Sequence, residues 1–268
     1  VKLYAITAIL MAALLLITPQ HNVAASMLET FLHNTLDLVS INGSGTKTNA
    51  AVNTIGINAD GQYVAFDTTS GVLVSGVGNG SRQVFVKDVS NGTLEHVSKS
   101  GSGTVGNGNS TNPSLSADGQ FVAFLSQATN LVAGDTNGQP DIFVFDRMTD
   151  NIVVASAAMD GTLGNGSAQD TPKMCGNGSH VVFSSSATNL IAEDTRGQQD
   201  VFIKNLSTGF VQLVSTAADD TQGNGKSDRP DVSADCRYVT FRSAATNLIG
   251  SDTNEKYDIF RKDLTTGT

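Results

Sequence analysis

The chain has 268 residues, of which 27 are glycine and 15% are charged, and its formal net charge is −9 at pH 7. This length is enough to bury the core of one large domain, and an apolar content of 39% excludes a disordered polypeptide. The negative charge argues against a nucleic-acid partner, because lysine and arginine supply most of the affinity for a phosphate backbone. Cations and basic partners remain compatible with this composition.

The first 25 residues resemble an export signal. Lys2 precedes a predominantly apolar segment, residues 3–17, and small residues follow at Val23, Ala24 and Ala25. This order predicts a signal peptide over residues 1–25, cleaved after Ala25, and hence a secreted or periplasmic protein. The alternative is a retained membrane anchor, although a spanning helix needs about 20 apolar residues. Residues 26–38 then predict a short helical leader.

The rest of the chain, residues 39–268, repeats itself four times with a period of about 58 residues. The segments INADGQYVAF, LSADGQFVAF, MCGNGSHVVF and VSADCRYVTF align, and they end at Phe66, Phe124, Phe183 and Phe241. A second aligned column holds Phe85, Phe143, Phe202 and Phe260. Repeats of this length indicate a propeller or a solenoid.

Each repeat contains four short segments with β propensity, here named a, b, c and d. In the second repeat they read PSLS, QFVAFLS, DIFVFD and NIVVAS. The tight-turn sequences ADGQ and RMTD separate a from b and c from d, which favours antiparallel strands. The prediction is therefore an all-β fold, a β-propeller of four-stranded blades with four blades in all. A solenoid, and a ring that is incomplete or completed by oligomerisation, are the alternatives.

The two ends of the repeat region predict a way to close such a ring. TLDLVS at 35–40 matches segment d, whereas the chain ends just after a segment c. The first strand is therefore expected to complete the last blade, which would leave no unpaired blade.

The repeat LSADGQFVAF…DIFVFDRMTDNIVVAS resembles the TolB-type, WD-like β-propeller repeat. That family typically has a Ser-Pro-Asp-Gly turn, an apolar strand and then an Asp-Ile-Tyr-Val-x-Asp strand. Here ADG replaces PDG, the usual tryptophan is absent and the b–c loop is longer. The resemblance implies the propeller fold. Functions in the family range from protein-binding platforms to propeller domains of peptidases and a few lyases, so it implies no catalytic residue here.

Strand alternation places the b–c and d–a connections on one face of a propeller, and these are the long polar connections in every repeat. We expect this face to be functional, because binding sites concentrate on loops held by a rigid scaffold.

Three of the four b–c loops share an acidic pattern: DTNGQPD, DTRGQQD and DTNEKYD. Carboxylates and amides are the oxygen ligands that Ca²⁺ takes. The predicted ligands are Asp135, Asn137 and Asp141, then Asp194 and Asp200, then Asp252, Asn254 and Asp258. The alternative interpretation is structural, because Asp and Asn side chains also accept hydrogen bonds from nearby backbone N–H groups. The first repeat has Val77 and Gln83 instead, and the third has Arg196 in place of the asparagine.

No catalytic constellation is evident. G-x-S-x-G is absent, and the four histidines have no partner implied by their spacing. Cys175 and Cys236 are compatible with a disulfide and with two free thiols. The sequence therefore predicts an exported, non-catalytic scaffold that binds a protein or carbohydrate partner through its long loops, with Ca²⁺ as a stabilising ion. The alternatives are a hydrolase or lyase with its site in the central channel, and a propeller domain of a larger peptidase.

Overall fold

The computed structural model describes residues 36–250 and 252–268. The predicted signal peptide and residues 26–35 of the predicted leader lie outside this range. Residues Val39–Thr268 form one unit by their contacts. Within the described residues, no helix has the length and apolar character needed to span a membrane.

The described residues contain fifteen strands, which follow the predicted segments. In chain order they are β1 (Val52–Ile57), β2 (Tyr63–Thr68), β3 (Gln83–Asp88), β4 (Leu94–His96), β5 (Ser110–Leu115), β6 (Phe121–Ser126), β7 (Asp141–Asp146), β8 (Asn151–Val154), β9 (Ala168–Met174), β10 (His180–Ser185), β11 (Asp200–Asn205), β12 (Val211–Leu213), β13 (Ser227–Val232), β14 (Tyr238–Ser243) and β15 (Asp258–Asp263).

These strands form four antiparallel sheets in the order of the sequence. The first three sheets have four strands each, β1–β4, β5–β8 and β9–β12, and the fourth has three, β13–β15. The predicted order a-b-c-d is thus confirmed, and each sheet is one blade. The first strands of consecutive blades also lie against each other, so segment a is the inner strand of every blade.

The core lies between blades, because alternate residues of a strand point to opposite faces. Ala123, Ile142 and Val144 of the second blade pack against Phe183 and Phe202 of the third. Corresponding clusters join the first blade to the second and the third to the fourth. Each aligned phenylalanine pair is stacked within its blade, with ring centroids 5.8–6.0 Å apart. The two phenylalanine columns are therefore the packing face that one blade presents to the blade before it.

The predicted ring closure by residues 35–40 is not observed. The fourth blade has no fourth strand among the described residues. Val39 packs with the cluster of the first blade, as Val97 and Val214 pack with the blades that follow them. The Lys87 side chain donates from Nζ to the Ile41 carbonyl at 3.1 Å. Lys204 makes the same bond to Ala157, at 2.6 Å, where the third blade meets the second. Ile41 therefore contacts the first blade in the way that the d–a loop of the second blade contacts the third.

The turn between a and b shows why Cys236 and Cys175 meet. At the equivalent position the second and third blades have Gly119 and Gly178, both with φ of +70°. A Cβ atom at either glycine would lie 2.3–2.4 Å from an aromatic ring of the preceding blade. In the fourth blade this position is Cys236, with φ of 62°, and it forms a disulfide with Cys175 across a Cα–Cα distance of 5.3 Å. The bridge therefore joins the third blade to the fourth.

Candidate functional site

All long connections lie on one face of the blades, as predicted. Each sheet is antiparallel and ordered a-b-c-d, so the b–c and d–a loops leave the same ends of their strands. The b–c loops span residues 69–82, 127–140, 186–199 and 244–257, and the d–a loops span 97–109, 155–167 and 214–226. This surface is called the long-loop face below.

The b–c and d–a loops are clamped together by asparagine side chains. Asn107 of one d–a loop donates from its backbone N–H to Asn130 Oδ1 at 2.9 Å and accepts from the Thr129 N–H at 2.8 Å. The same bonds recur at Asn165 and at Asn224. A Cβ at Gly108 would lie 2.6 Å from the Gln127 backbone, so the GNG sequence supplies both the clamp and the close approach. The face is thus pre-organised by repeated hydrogen bonds.

In the second blade, the structure brings the predicted acidic residues together at the base of the b–c loop. Asp141 is fully buried. Its Oδ1 accepts from Ser156 Oγ at 2.6 Å, and its Oδ2 accepts from Asn137 Nδ2 at 2.8 Å. Asp135 is 7% exposed, and its Oδ1 is buried without any hydrogen-bond partner among the described residues. One carboxylate is therefore well satisfied and its neighbour is not.

In the third blade, a glutamine lies between the two carboxylates. Gln222 donates from Nε2 to Asp194 Oδ1 at 2.8 Å and to Asp200 Oδ2 at 2.9 Å. The second oxygen of Asp194, which is 4% exposed, has no partner within the described part of the chain. The Arg196 backbone N–H lies 3.5 Å from Asp194 Oδ1. The glutamine amide thus occupies a position between carboxylates that a cation would favour.

The first and fourth blades differ from this arrangement in opposite ways. In the first, Val77 is 4% exposed and packs in an apolar cluster, while Gln83 accepts from Ser98 Oγ at 2.7 Å as Asp141 does from Ser156. In the fourth, Asp252 and Asp258 are half-buried and line an open cleft of 370 Å³. The acidic pair is therefore buried only where a following blade covers it.

The asparagines of the pattern have a structural role in the loops. Asn137 Oδ1 accepts from the Gln139 N–H at 2.9 Å, and Asn254 Oδ1 accepts from the Lys256 N–H at 2.7 Å. These are the Asx-turns of the structural interpretation. Asn254 Nδ2 donates to Asp258 at 3.0 Å, as Asn137 does to Asp141. The asparagines therefore serve the geometry of the loops, and in the second blade Asp135 is the residue of the pattern with an unpaired oxygen.

The comparisons with known proteins concern the fold. No protein-family model matches the chain, and no curated protein sequence matches it. Among solved structures, it is similar to TolB from Acinetobacter baumannii, with 20% identity and a TM-score of 0.50 over 82% of this chain and 42% of that one. It is also similar to a prolyl endopeptidase, with 14% identity and a TM-score of 0.52 over 88% of this chain and 30% of that one.

The fold is a β-propeller, similar to the propeller of TolB. The chain spans 42% of the length of the TolB structure and 30% of that of the prolyl endopeptidase. At these identities the similarity establishes the propeller fold alone, so the chemistry has to come from this chain's own residues.

Burial shifts the acid–base behaviour of the propeller's acidic pairs. It raises the pKa of Asp200 to about 6, against the hydrogen bonds from Ser215 and Gln222. Burial also raises the pKa of Asp141 and the pKa of Asp135. The negative charge of Asp135 raises the pKa of Asp141 further. Desolvation therefore favours either a proton or a counter-cation at these carboxylates.

Sequence comparison of the repeats missed a polar cluster on the inner strands. Strands β5, β9 and β13 each pair irregularly with the next strand. At the equivalent place in each irregularity, Asn112, Asp170 and Arg229 have φ of 58°, 61° and 52°. Left-handed backbone is uncommon for residues other than glycine. These three residues differ in type, so an alignment that searches for shared residues passes over them.

The described histidines of the propeller lie away from the channel. His96, on the outermost strand of the first blade, contacts Gln83 and Ser98, and burial lowers its pKa to about 4. His180 lies at the end of β10 next to the short turns and contacts Ser179 and Asn205. Burial lowers the pKa of His180 as well. His96 is buried at the base of the long loops, beside Gln83, and His180 lies at the opposite end of its blade.

Proposed function

We propose that this protein is an exported, non-catalytic propeller scaffold that binds a protein or carbohydrate partner through its long-loop face. The observation that carries the proposal is the one-sided arrangement of the loops. Seven long polar loops leave the same ends of the strands, and the asparagine clamps hold them in fixed positions. Rigid loops on one face reduce the entropy cost of binding a partner.

The alternative candidate is a hydrolase or lyase with its site in the central channel, or the propeller domain of a larger peptidase. The charged inner-strand residues, Asp170 and Arg229, are the observation that favours it. Within the described residues, however, they are not accompanied by a histidine or by a serine–histidine pair. Binding, without bond breaking, is the function that these groups support best.

We further propose that Ca²⁺ stabilises the b–c loops, with the strongest site at Asp135 and Asp141. A buried ionised carboxylate without a partner is costly, and pairing it with a charge or a metal is the usual remedy. Ca²⁺ takes carboxylate and carbonyl oxygens in flexible geometry. Asp135 supplies a free carboxylate, and the carbonyl of Gly164, which accepts from Asn137 Nδ2 at 3.0 Å, is an oxygen close to the same position.

The same argument ranks the remaining sites. Gln222 already donates to one oxygen of each acid in the third blade, which makes the Asp194 and Asp200 site weaker. Asp252 and Asp258 are more exposed, so water competes there with the protein for the ion. The first blade has no carboxylate pair and should bind no ion.

Site-specific photo-crosslinking tests the binding face. A photo-crosslinking amino acid replaces Glu193, exposed on a long b–c loop, or Met148, 78% exposed in a short c–d turn. Both proteins are irradiated with an extract of the exported proteins of the host and with an array of oligosaccharides. The proposal expects crosslinks from Glu193 that Ca²⁺ strengthens, and background from Met148. Equal crosslinking from both positions, or crosslinking from Met148 alone, would contradict it.

A further inference from the structure

Two adjoining clefts open between the inner strands, and they share one residue. The larger, of 590 Å³, is lined by Arg82, Asn109, Gln127 and Gln169 among others, and the smaller, of 430 Å³, by Asn112, Lys173, Arg229 and Asp231. Asp170 lines both. Cavities of this size hold ligands, and these two follow one another along the inner strands.

The shared carboxylate is held in a fixed position from three sides. Asp170 Oδ2 accepts from Ser184 Oγ at 2.9 Å and from Gln199 Nε2 at 3.1 Å. The Arg229 backbone N–H donates to the same oxygen at 3.3 Å. The second oxygen of this carboxylate, Oδ1, accepts no hydrogen bond within the described residues, so it is free to accept one from a ligand.

Cations without a protein partner accompany it. In the part of the chain that the structure describes, the Arg229 and Lys173 side chains form neither an ion pair nor a hydrogen bond. Arg242 contrasts with them, because it donates to both oxygens of Asp228 at 2.7 Å. The cleft also contains Asp170 and Asp231, so its two free cations can receive one anionic group of a ligand beside these carboxylates.

The backbone of the clefts is also irregular. Thr111 pairs with Leu125 and Ser114 pairs with Ala123, so Asn112 and Pro113 together face a single residue. An irregularity of this kind leaves peptide groups out of the ladder, and the left-handed Asn112, Asp170 and Arg229 stand at those places. Strained backbone persists where surrounding structure maintains it, commonly at ligand sites. The backbone N–H of Asn112 already donates to Thr54 Oγ1 at 3.0 Å, and that of Arg229 donates to Asp170. The clefts therefore offer another peptide backbone their side-chain amides.

We propose that these clefts bind the C-terminal segment of a polypeptide partner, with its terminal carboxylate between Arg229 and Lys173. The inference rests on the proposed function, since it identifies the partner as protein. A single terminal anion fits two cations, and the backbone amides of the segment pair with the amide groups and the free oxygen of Asp170. A polyanionic oligosaccharide fits less well, because Asp170 and Asp231 would repel its repeated charges.

The test uses a mixture of N-acetylated hexapeptides, randomised at every position and made with either a free or an amidated C-terminus. Retention on the intact protein is measured by size exclusion and mass spectrometry. Free-acid peptides should be retained about tenfold more than amidated ones, because a charge-assisted contact contributes about 1.5–3 kcal/mol. Arg229→Gln and Lys173→Gln should reduce retention to the amidated level, whereas Lys47→Gln, an exposed control, should not.

Equal retention of the two mixtures would overturn the proposal, as would full retention by an Arg229→Gln protein with an unchanged melting temperature. A linear tri-uronic acid serves as the oligosaccharide competitor. If it does not displace the bound peptides, the polypeptide assignment is supported. If it displaces them and its binding depends on Arg229, the assignment is overturned. If the peptides do not bind but the crosslinks from position 193 are still observed, this inference alone is refuted. Loss of those crosslinks as well would refute the proposed function.

Discussion

The b–c loops of the first and second blades have nearly the same hydrogen bonds but different residues at two buried positions. Asn79 and Asn137 each accept from a backbone N–H two residues on and donate to a glycine carbonyl of the next loop. Where the first loop has Val77, the second has Asp135, and both side chains are more than 90% buried. The loop therefore forms without the acidic pair, and burying Asp135 contributes nothing that the fold requires.

The comparison separates the two interpretations of the acidic pattern. The asparagine is structural, because it makes the same contacts in a loop with no acids. The aspartate pair is not needed for that geometry and is costly without a counter-charge. We therefore infer that a ligand, and Ca²⁺ first among cations, accounts for the second loop.

The largest expected effect comes from giving the second loop the first loop's residue. Ca²⁺ at 100 times its dissociation constant stabilises by about 2.7 kcal/mol, so a chelator should lower the melting temperature of the native protein by roughly 5–10 °C. Asp135→Val should abolish that response and remain well folded, because Val77 fits the same position. Differential scanning calorimetry with and without chelator measures both quantities.

Asp60→Asn, in a short a–b turn, is the matched control for this substitution and should keep the full chelator response. A chelator response that survives in Asp135→Val would show that the ion, if one binds, lies elsewhere.

A smaller effect is expected from pH, measured in chelator. Because the pKa of Asp200 is raised to about 6 in the folded protein, the folded state binds its proton more tightly than the unfolded state does. Stability should thus fall by about 2 kcal/mol as pH rises from about 4 to 6, and level off above pH 7. Asp135 and Asp141 shift in the same direction.

Urea unfolding between pH 4 and pH 7 measures this slope, and Asp200→Asn should flatten it in part. The prediction fails if the apo protein becomes more stable across this range, or if the Asp200→Asn slope equals that of the native protein.

The smallest effect concerns the third loop. Gln222 donates to one oxygen each of Asp194 and Asp200, whereas the equivalent bridge position in the second blade is Leu163. Gln222→Leu should lower the unfolding free energy of the calcium-free protein by about 1–3 kcal/mol, because it leaves two carboxylate oxygens unpaired. It should also increase the stabilisation by Ca²⁺.

Chelator titrations of the melting temperature check both parts of this prediction. An unchanged Ca²⁺ response in Gln222→Leu would remove the claim that the glutamine takes the place of a cation.

The fold was predictable because the repeat carries it in residues that do not vary. The two phenylalanine columns mark strands b and c, and the turn glycines mark the short connections, so the order of strands and the side of the long loops follow. Closure was not predictable in the same way. The strand-like pattern of 35–40 does not reveal which blade it will contact, and the Lys87 bond to Ile41 depends on three-dimensional placement.

The candidate sites were predictable in part, for the same reason. The acidic pairs repeat, so the alignment found them, but it did not show that Asp135 lacks a partner or that Asn137 is already engaged. The inner-strand cluster was missed because Asn112, Asp170 and Arg229 share a backbone conformation and no side-chain chemistry. A search for repeat positions whose residue type varies next to positions whose residue type is constant would have indicated the inner-strand cluster.

Isothermal titration of the calcium-free protein with Ca²⁺ tests the central claim most directly. The account predicts a strongest site that is present in the native protein, absent in Asp135→Val and retained in the Asp60→Asn control. No binding heat in the native protein, or the same strongest site in Asp135→Val, would contradict the claim that the buried second-loop acids exist to hold a cation.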